Sequence, residues 1–332
     1  KTSLNGIPLD MRVSSLPTNN GEKIVIRILD YSMSIQGLEQ LGFTKDNFEK
    51  IMKMINLPNG IILVTGATGT GKSTTVYSIL QRLNREEANV ITVEDPVEMD
   101  IPGVNQVQVN SEIGLTFANV LRSILRQDPD IIMIGEIRDD ETATIAVRAS
   151  VTGHLVLSTI HTNNSLNTIE RLLDMEVERY LLAASLSGII SQKLARKLCP
   201  HCRKKITPTP YEKYLFKKNL GIDLNEIYVA GDGCDNCMNG YRGRIAIHEV
   251  LLIDEDIRDA ISNNVRKEDL RKLVYSENVH TLLQDGLIKV AQGLTSFEEI
   301  IKLIELDVED IVIPKGENAE NNNVQDSNVE QK

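Results

Sequence analysis

Apolar and polar residues along this chain follow two periods that take turns. Residues 11–29, MRVSSLPTNNGEKIVIRIL, alternate in the strand period on both sides of a Pro/Asn/Asn/Gly turn and predict a hairpin. Two strands cannot bury a face alone, so the hairpin is expected to close a domain that begins outside this chain. From about residue 38 to 195 strand and helix patterns alternate. GIILVTG (60–66) predicts a short strand, followed by a Gly-rich loop and a helix from Lys72 to about Leu83. NVITVED (89–95) predicts a second strand. TFANVLRSILRQ (116–127) has a Thr N-cap and apolar residues at 117, 120, 121, 124 and 125, a helical period. DIIMIGE predicts a strand, and DDETATIAVRASVTG a helix with acids in its first turn and Gly153 at its end. HLVLSTIHT (154–162) returns as a strand. Such alternation indicates an α/β domain with a mainly parallel sheet.

The run YLLAASLSGIISQKLARKL (180–198) predicts a buried helix, because Ser, Gln and three cationic residues deny it a membrane span. Residues 199–237 then hold all four cysteines. GRIAIHEVLLI predicts a strand pair, short amphipathic helices follow from about 254 to 306, and the Asn-rich 314–332 is expected to be disordered. The expected divisions are 1–35, 36–197, 198–245, 246–312 and 313–332.

Composition narrows the function. With 332 residues, 41% apolar and 25% charged, the chain is an ordinary globular protein of two or three domains. A net charge of −11 and 4% aromatics, with no basic-aromatic patch, argue against a nucleic-acid partner. No apolar stretch reaches the ~18 to 20 residues that span a bilayer, and no signal peptide opens the chain. The start at Lys1 points to a fragment. The expected location is the cytoplasm, with any membrane link running through partners.

GATGTGKST satisfies G-x-x-x-x-G-K-[ST] after a predicted strand and at the start of a helix. Gly66, Thr68, Gly69, Thr70, Gly71, Lys72, Ser73 and Thr74 form the expected phosphate-binding set. Their backbone N–H groups and the helix terminus attract phosphate. Lys72 is placed for the β- and γ-phosphates of ATP, and the Ser73 hydroxyl for Mg²⁺. Glu94 and Asp95 close the next strand at the same sheet edge, either as Mg²⁺ and water ligands or as an acidic turn. In RQDPDIIMIGEIRD (126–139) the strand ends in Gly135 where an aspartate is usual, and Glu136 follows. Glu136 is read as the base for the attacking water, against a plain ion pair with Arg138. Gly135 is read as letting the strand end close to the phosphates. His154 and His161 bracket a strand at an odd spacing, so they do not share one task. His161, at the carboxyl edge, is placed to sense the γ-phosphate, and His154 to support an interface.

Cys199-Pro-His-Cys202 and Cys234-Asp-Asn-Cys237 make two C-x2-C knuckles with 31 residues between them, enough for an inserted fold. Four cysteines close a structural Zn²⁺ site with no open position, and disulfides are disfavoured in a cytoplasmic chain. Arg12 and Arg27 lie in the hairpin; by spacing alone they are surface charges.

Together these blocks resemble the secretion ATPase superfamily, specifically the type II secretion and type IV pilus assembly ATPases. The blocks are RVSSLPTNNGEKIVIRILD, GATGTGKSTT, ITVEDPVE, LRQDPDIIMIGEIRD, TGHLVLSTIHTN, the tetracysteine pair and GYRGRIAIHE, in order from about residue 8 to 306. The resemblance implies a RecA-like P-loop NTPase core, preceded by the end of a PAS-like domain. A tetracysteine zinc subdomain and a helical C-terminal subdomain follow. It also implies a homo-hexamer that works with an inner-membrane platform protein to add pilin subunits. Glu94 and Asp95 match the family's Asp box, Glu136 its atypical Walker B, and His154 and His161 its His box, so His154 joins the expected nucleotide-binding residues. Arg12 and Arg27 match arginines that reach the nucleotide from the preceding domain. The family's first half is absent here, and the Asn-rich tail is not a family feature.

The tetracysteine element favours assembly or secretion over pilus retraction, whose ATPases lack it. A Lys/Asn/Ile-rich composition hints at an AT-rich genome of a lineage without an outer membrane, and so favours type IV pili over a type II secretion pseudopilus. The readings from other classes are a RecA-like nucleic-acid motor and a nucleotide-binding scaffold without turnover.

Overall fold

In the computed structural model, which describes residues 2–4, 7–30, 36–276 and 278–304 (backbone alone at 2–4, 7–10, 12 and 27–30), the apolar runs become strands buried on both faces. The chain opens with β1 (Thr2–Leu4), β2 (Ile7–Thr18) and β3 (Gly21–Asp30), an antiparallel sheet whose turn at 19–20 is the expected one. Register puts Met11, Val13, Ile24 and Ile26 on one face, and all four are exposed. That exposure fits a hairpin too small to cover its own apolar side.

The α/β order then runs α1 (Lys45–Ile55), β4 (Gly60–Thr65), α2 (Lys72–Leu83), β5 (Val90–Glu94), β6 (Asn105–Gln108), α3 (Phe117–Ile124), β7 (Ile131–Ile134), α4 (Asp140–Val151) and β8 (Leu155–Ile160). Next come α5 (Ser165–Asp174), α6 (Arg179–Ser185) and β9 (Leu186–Leu198). The Thr116 hydroxyl accepts from the Asn119 N–H to start α3, the expected cap, and Asp139 caps α4 in the same way at Thr142, so side chains satisfy these helix ends.

Beyond β9 lie β10 (Lys204–Ile206), α7 (Pro210–Leu220), β11 (Ile227–Val229), β12 (Tyr241–Leu252), α8 (Glu255–Ser262), α9 (Lys267–Val274), α10 (Leu282–Ala291) and α11 (Phe297–Leu303). The main sheet has the order β12-β9-β4-β8-β7-β5-β6, parallel throughout except for β12. Along β4, Ile61 and Leu63 enter a core formed with α3 to α6 and α8 to α9, while Ile62 and Val64 enter a second core under α1 and α2. Alternation with both faces covered explains why such strands read as unbroken apolar runs. A third core joins α7, α10 and α11 around Phe216, Leu287 and Ile300.

Two expectations are corrected. The run 180–198 is not a helix: α6 stops at Ser185 and residues 186–198 form β9, between β4 and β12. An apolar run buried on both sides has no period to separate helix from strand. Gly188 settles it, since a Cβ there would lie 2.8 Å from the Leu251 carbonyl oxygen of β12. The segment GRIAIHEVLLI is likewise not a strand pair but the single strand β12, paired with β9. It straddles the expected division at 245. The tail 314–332 lies outside the described residues. Among the described residues no helix is long and apolar enough to cross a membrane.

Candidate nucleotide site and cysteine centre

Because β4, β5, β7 and β8 are parallel, their carboxyl ends share one edge, where ligands of open α/β sheets bind. The turn after β4 is the phosphate loop. Gly66 and Gly71 have φ of 151° and 88°, a left-handed backbone that favours glycine. Residues 67–69 and the Ser73 and Thr74 side chains are exposed at the start of α2, whose N-terminus supplies the positive potential. Lys72 is buried and folded over the loop, donating to the carbonyl oxygens of Gly66 (2.8 Å) and Ala67 (3.1 Å). Burial lowers its pKa from the ordinary lysine value, and the charge of Glu136 pulls the other way. An open helix terminus, an ammonium and an exposed hydroxyl, with carboxylates at the same sheet edge, form a donor set that fits a nucleotide phosphate with Mg²⁺.

The turns after β4 and β8 are stapled together. Thr65 Oγ1 donates to the Thr162 carbonyl oxygen (2.8 Å), and the Thr162 N–H donates back to Thr65 Oγ1 (3.1 Å). The staple brings His161 to the turn after β7, where its Nε2 lies 3.3 Å from Glu136 Oε2. Arg138 Nη2 donates to Glu136 Oε1, a bond that raises the arginine's pKa. The carboxylate is only 14% exposed, whereas Arg138 is 60% exposed. The ion pair with Arg138 is therefore present, but Glu136 faces inward toward Lys72 and His161 rather than lying free on the surface.

Gly135 follows β7 at the same edge and is packed against β5. Its N–H donates to the Val93 carbonyl oxygen (2.7 Å), and a Cβ would lie 3.3 Å from that oxygen and from Glu94 Cα. The backbone that crowds it belongs to β5. The acids of β5 also part company. Glu94 is buried, accepting from Thr92 Oγ1 (2.6 Å) and Gln106 Nε2 (3.0 Å) at one oxygen and from the Tyr77 hydroxyl at the other. Burial and that bond push the Tyr77 pKa up. Asp95 is exposed at the sheet edge, where its charge is felt by Arg138.

His154 is not brought to this edge. It precedes β8, at the amino end of the sheet, where Nδ1 donates to the Ala149 carbonyl oxygen (2.8 Å) at the end of α4. Arg12 and Arg27 are direct register partners in β2 and β3, so they share one face of the hairpin, opposite its apolar stripe. Their side chains lie outside the described residues.

The four cysteines converge. Their sulfurs lie within 4.8 Å of one another, with Cys199–Cys234 at 3.8 Å and Cys202–Cys237 and Cys234–Cys237 at 3.6 Å. A tetrahedral zinc with Zn–S of about 2.3 Å separates its sulfurs by about 3.8 Å, so the spacing fits zinc. All four are free cysteines, not disulfides. The residues between the knuckles fold as β10, α7 and β11.

Sequence reasoning missed Tyr77 and Gln192, the partners that hold Glu94 and the phosphate loop. The signal for Gln192 was present: a polar amide after the β-branched pair Ile189-Ile190 must find partners when buried.

Comparison with known proteins identifies the family. The family described as Type II/IV secretion system protein matches residues 1–302. Type II secretion system protein E of Dickeya dadantii (strain 3937) is 46% identical over 301 residues, covering 90% of this chain and 59% of the relative. Type IV pilus assembly ATPase PilB of Thermus thermophilus is 47% identical over 300 residues, covering 89% of this chain but 33% of the relative. The chain thus spans about three fifths of one and a third of the other. Among solved structures, the pilus retraction motor PilT with bound ADP superposes with a TM-score of 0.65 at 29% identity, covering 90% of this chain and 75% of PilT. The Legionella pneumophila ATPase DotB shares the fold, with a TM-score of 0.66 over 91% of this chain and 75% of that one, at 24% identity. The chain belongs to the Type II/IV secretion system protein family.

Proposed function

We propose that this chain is the ATP-hydrolysing motor part of a machine that assembles type IV pilin filaments at the cytoplasmic membrane. The observation that carries the reading is the convergence of Lys72, Glu136 and His161 on one sheet edge beside an open phosphate loop. Lys72 leaves the Gly66 and Ala67 carbonyls to contact the β- and γ-phosphates. Glu136 orients the attacking water and takes its proton, held in place by Arg138 on one oxygen and His161 on the other. Ser73 would hold Mg²⁺, which supplies charge neutralisation of the phosphates when bound. Asp95 is the acid at this edge whose side chain is exposed, while Glu94 keeps β5 and α2 in register. Arg12 and Arg27, delivered from the hairpin, would offset charge on the transferring phosphoryl group within a homo-hexamer. The zinc knuckles are structural. The motor sits on the cytoplasmic side and meets the membrane through an inner-membrane platform protein.

The likeness of 46 to 47% to assembly and secretion proteins, against 29% to a retraction motor, supports assembly. The near-equal likeness to type II secretion protein E favours a pseudopilus motor as the second reading. Glu136→Gln is expected to keep ADP and ATP affinity and lower turnover by about 10²- to 10⁴-fold; unchanged turnover would remove Glu136 as the base. Placed in the source organism's own gene, the same substitution should abolish surface filaments and spare protein secretion. The reverse outcome selects the pseudopilus.

A further inference from the structure

We propose that Gln192 is a positioning residue for the phosphate loop, a clamp that holds Gly66 to Gly71 in the shape that binds phosphate. This inference rests on the nucleotide reading above. Gln192 lies in β9, just past the level at which Thr65 of β4 pairs with Ser191, and is 3% exposed. Its Nε2 donates to the Thr70 carbonyl oxygen (2.7 Å), and its Oε1 accepts from Thr75 Oγ1 (2.7 Å) in the first turn of α2. One amide therefore grips the loop and the helix that the loop opens. Both defining glycines of the motif rest on the same residue: a Cβ at Gly66 would lie 2.5 Å from the Gln192 carbonyl oxygen, and one at Gly71 would lie 2.8 Å from Nε2.

The neighbouring residue extends the grip. Ser191, on the opposite face of β9, lies 3.1 Å through its hydroxyl from Ser165 Oγ at the start of α5, and the Ser165 N–H donates to buried Glu249 of β12 (2.9 Å). The His161 turn leads directly into α5. Two consecutive residues of β9 thus hold the turns that carry the two halves of the site. A Gly-rich loop is costly to order, and a site whose competent shape is populated a tenth of the time binds tenfold more weakly. A primary amide is needed because it donates and accepts at once.

The test measures the Kd of a fluorescent ADP analogue with Mg²⁺ on the full chain at 25 °C, beside thermal melts without nucleotide. In Gln192→Leu the Kd is expected to rise at least tenfold. In Gln192→Glu it should rise as far at pH 8, where a carboxylate opposes the Thr70 carbonyl. It should then recover toward the parent value by pH 5.5, as the buried carboxyl takes a proton and donates in the amide's place. Thr75→Val, which removes only the accepting half, should raise the Kd two- to fivefold, and it decides the matter if the Gln192 variants do not fold. A folded Gln192→Leu or Thr75→Val that binds within 1.5-fold of the parent overturns the clamp, as does a pH-independent Gln192→Glu. If the parent chain itself binds no ADP analogue, the nucleotide reading fails and takes the clamp with it. If the parent binds and the variants match it, only the clamp fails.

Discussion

The phosphate loop and the cysteine knuckles are both turns that present groups to a charged ligand, yet they are built in opposite ways. The loop is held by the protein: Gln192 from β9 on one side, and the Thr65–Thr162 staple between β4 and β8 at its root. The knuckles are held mainly by backbone bonds of their own turns and of the turn that leads into β12. The Cys199 N–H reaches the Gly240 carbonyl oxygen (2.9 Å), the Cys237 N–H reaches the Cys234 carbonyl oxygen (3.0 Å), and four sulfurs then crowd one point. Without a cation, thiolates at that separation repel. The comparison teaches that the nucleotide site is preorganised and the metal site is not, so removing each ligand should have different consequences.

The largest effect is expected at the metal. The protein should carry close to one zinc per chain, and a strong chelator or Cys199→Ser should remove it and cost more than about 4 kcal/mol of stability in denaturant unfolding. The amides of β10, α7 and β11 should lose their hydrogen-exchange protection first. Removing nucleotide should leave the amides around Gly66–Gly71 about as protected as before. Zinc-free protein with unchanged stability would erase the contrast.

An intermediate effect separates the two acids of β5. Tyr77→Phe withdraws one donor from a buried carboxylate and should cost about 1–3 kcal/mol. Asp95→Asn, at an exposed position, should change stability by less than about 0.5 kcal/mol and lower turnover instead. If Tyr77→Phe lowers turnover without destabilising the fold, Glu94 acts at the phosphates and the division between these neighbours is wrong.

What could be read from the sequence follows the same division. The loop GATGTGKST, the cysteine knuckles, the cap Thr116 and the helix from Lys72 are local patterns, complete within a few residues, and all stand where expected. What escaped is non-local. That 186–198 is a strand depends on β12 arriving beside it from about fifty residues downstream, and Gly188 matters only because Leu251 and Met54 lie against it. The pairing of His161 with Glu136 needed the sheet order, which no spacing reveals. Glu94 and Asp95 looked equivalent because adjacent acids carry no sign of which one Tyr77 and Gln106 will enclose.

The smallest expected effect concerns the other end of β12, where the structure is dry rather than open. His248 is fully buried, its ring stacked on Phe43 at 3.8 Å, and neither ring nitrogen has a hydrogen-bond partner among the described residues. Its backbone N–H donates to Asp285 (2.8 Å), which also pairs with buried Lys289. Burial, and then the Lys289 charge, push the His248 pKa well below its usual value. In the folded protein the imidazole therefore stays neutral, while in the unfolded chain it takes a proton near pH 6.5. The unfolded state binds more protons below that point, so stability is full above pH 6.5 and falls as the pH drops, by up to about 1.4 kcal/mol per unit for this one group. Asp285 opposes the trend, because burial raises its carboxyl and the folded state then holds the extra proton as the pH falls. The raised carboxyls of Asp285 and Glu249 are common to parent and variant, so a comparison with His248→Leu over the window from pH 6.5 to 5.5 isolates the histidine. Urea unfolding of the parent and of His248→Leu across that window should differ in slope by about one proton, with the parent the steeper. Parallel slopes would mean that the imidazole can be charged where it stands, and that this end of β12 is as open to water as the phosphate loop.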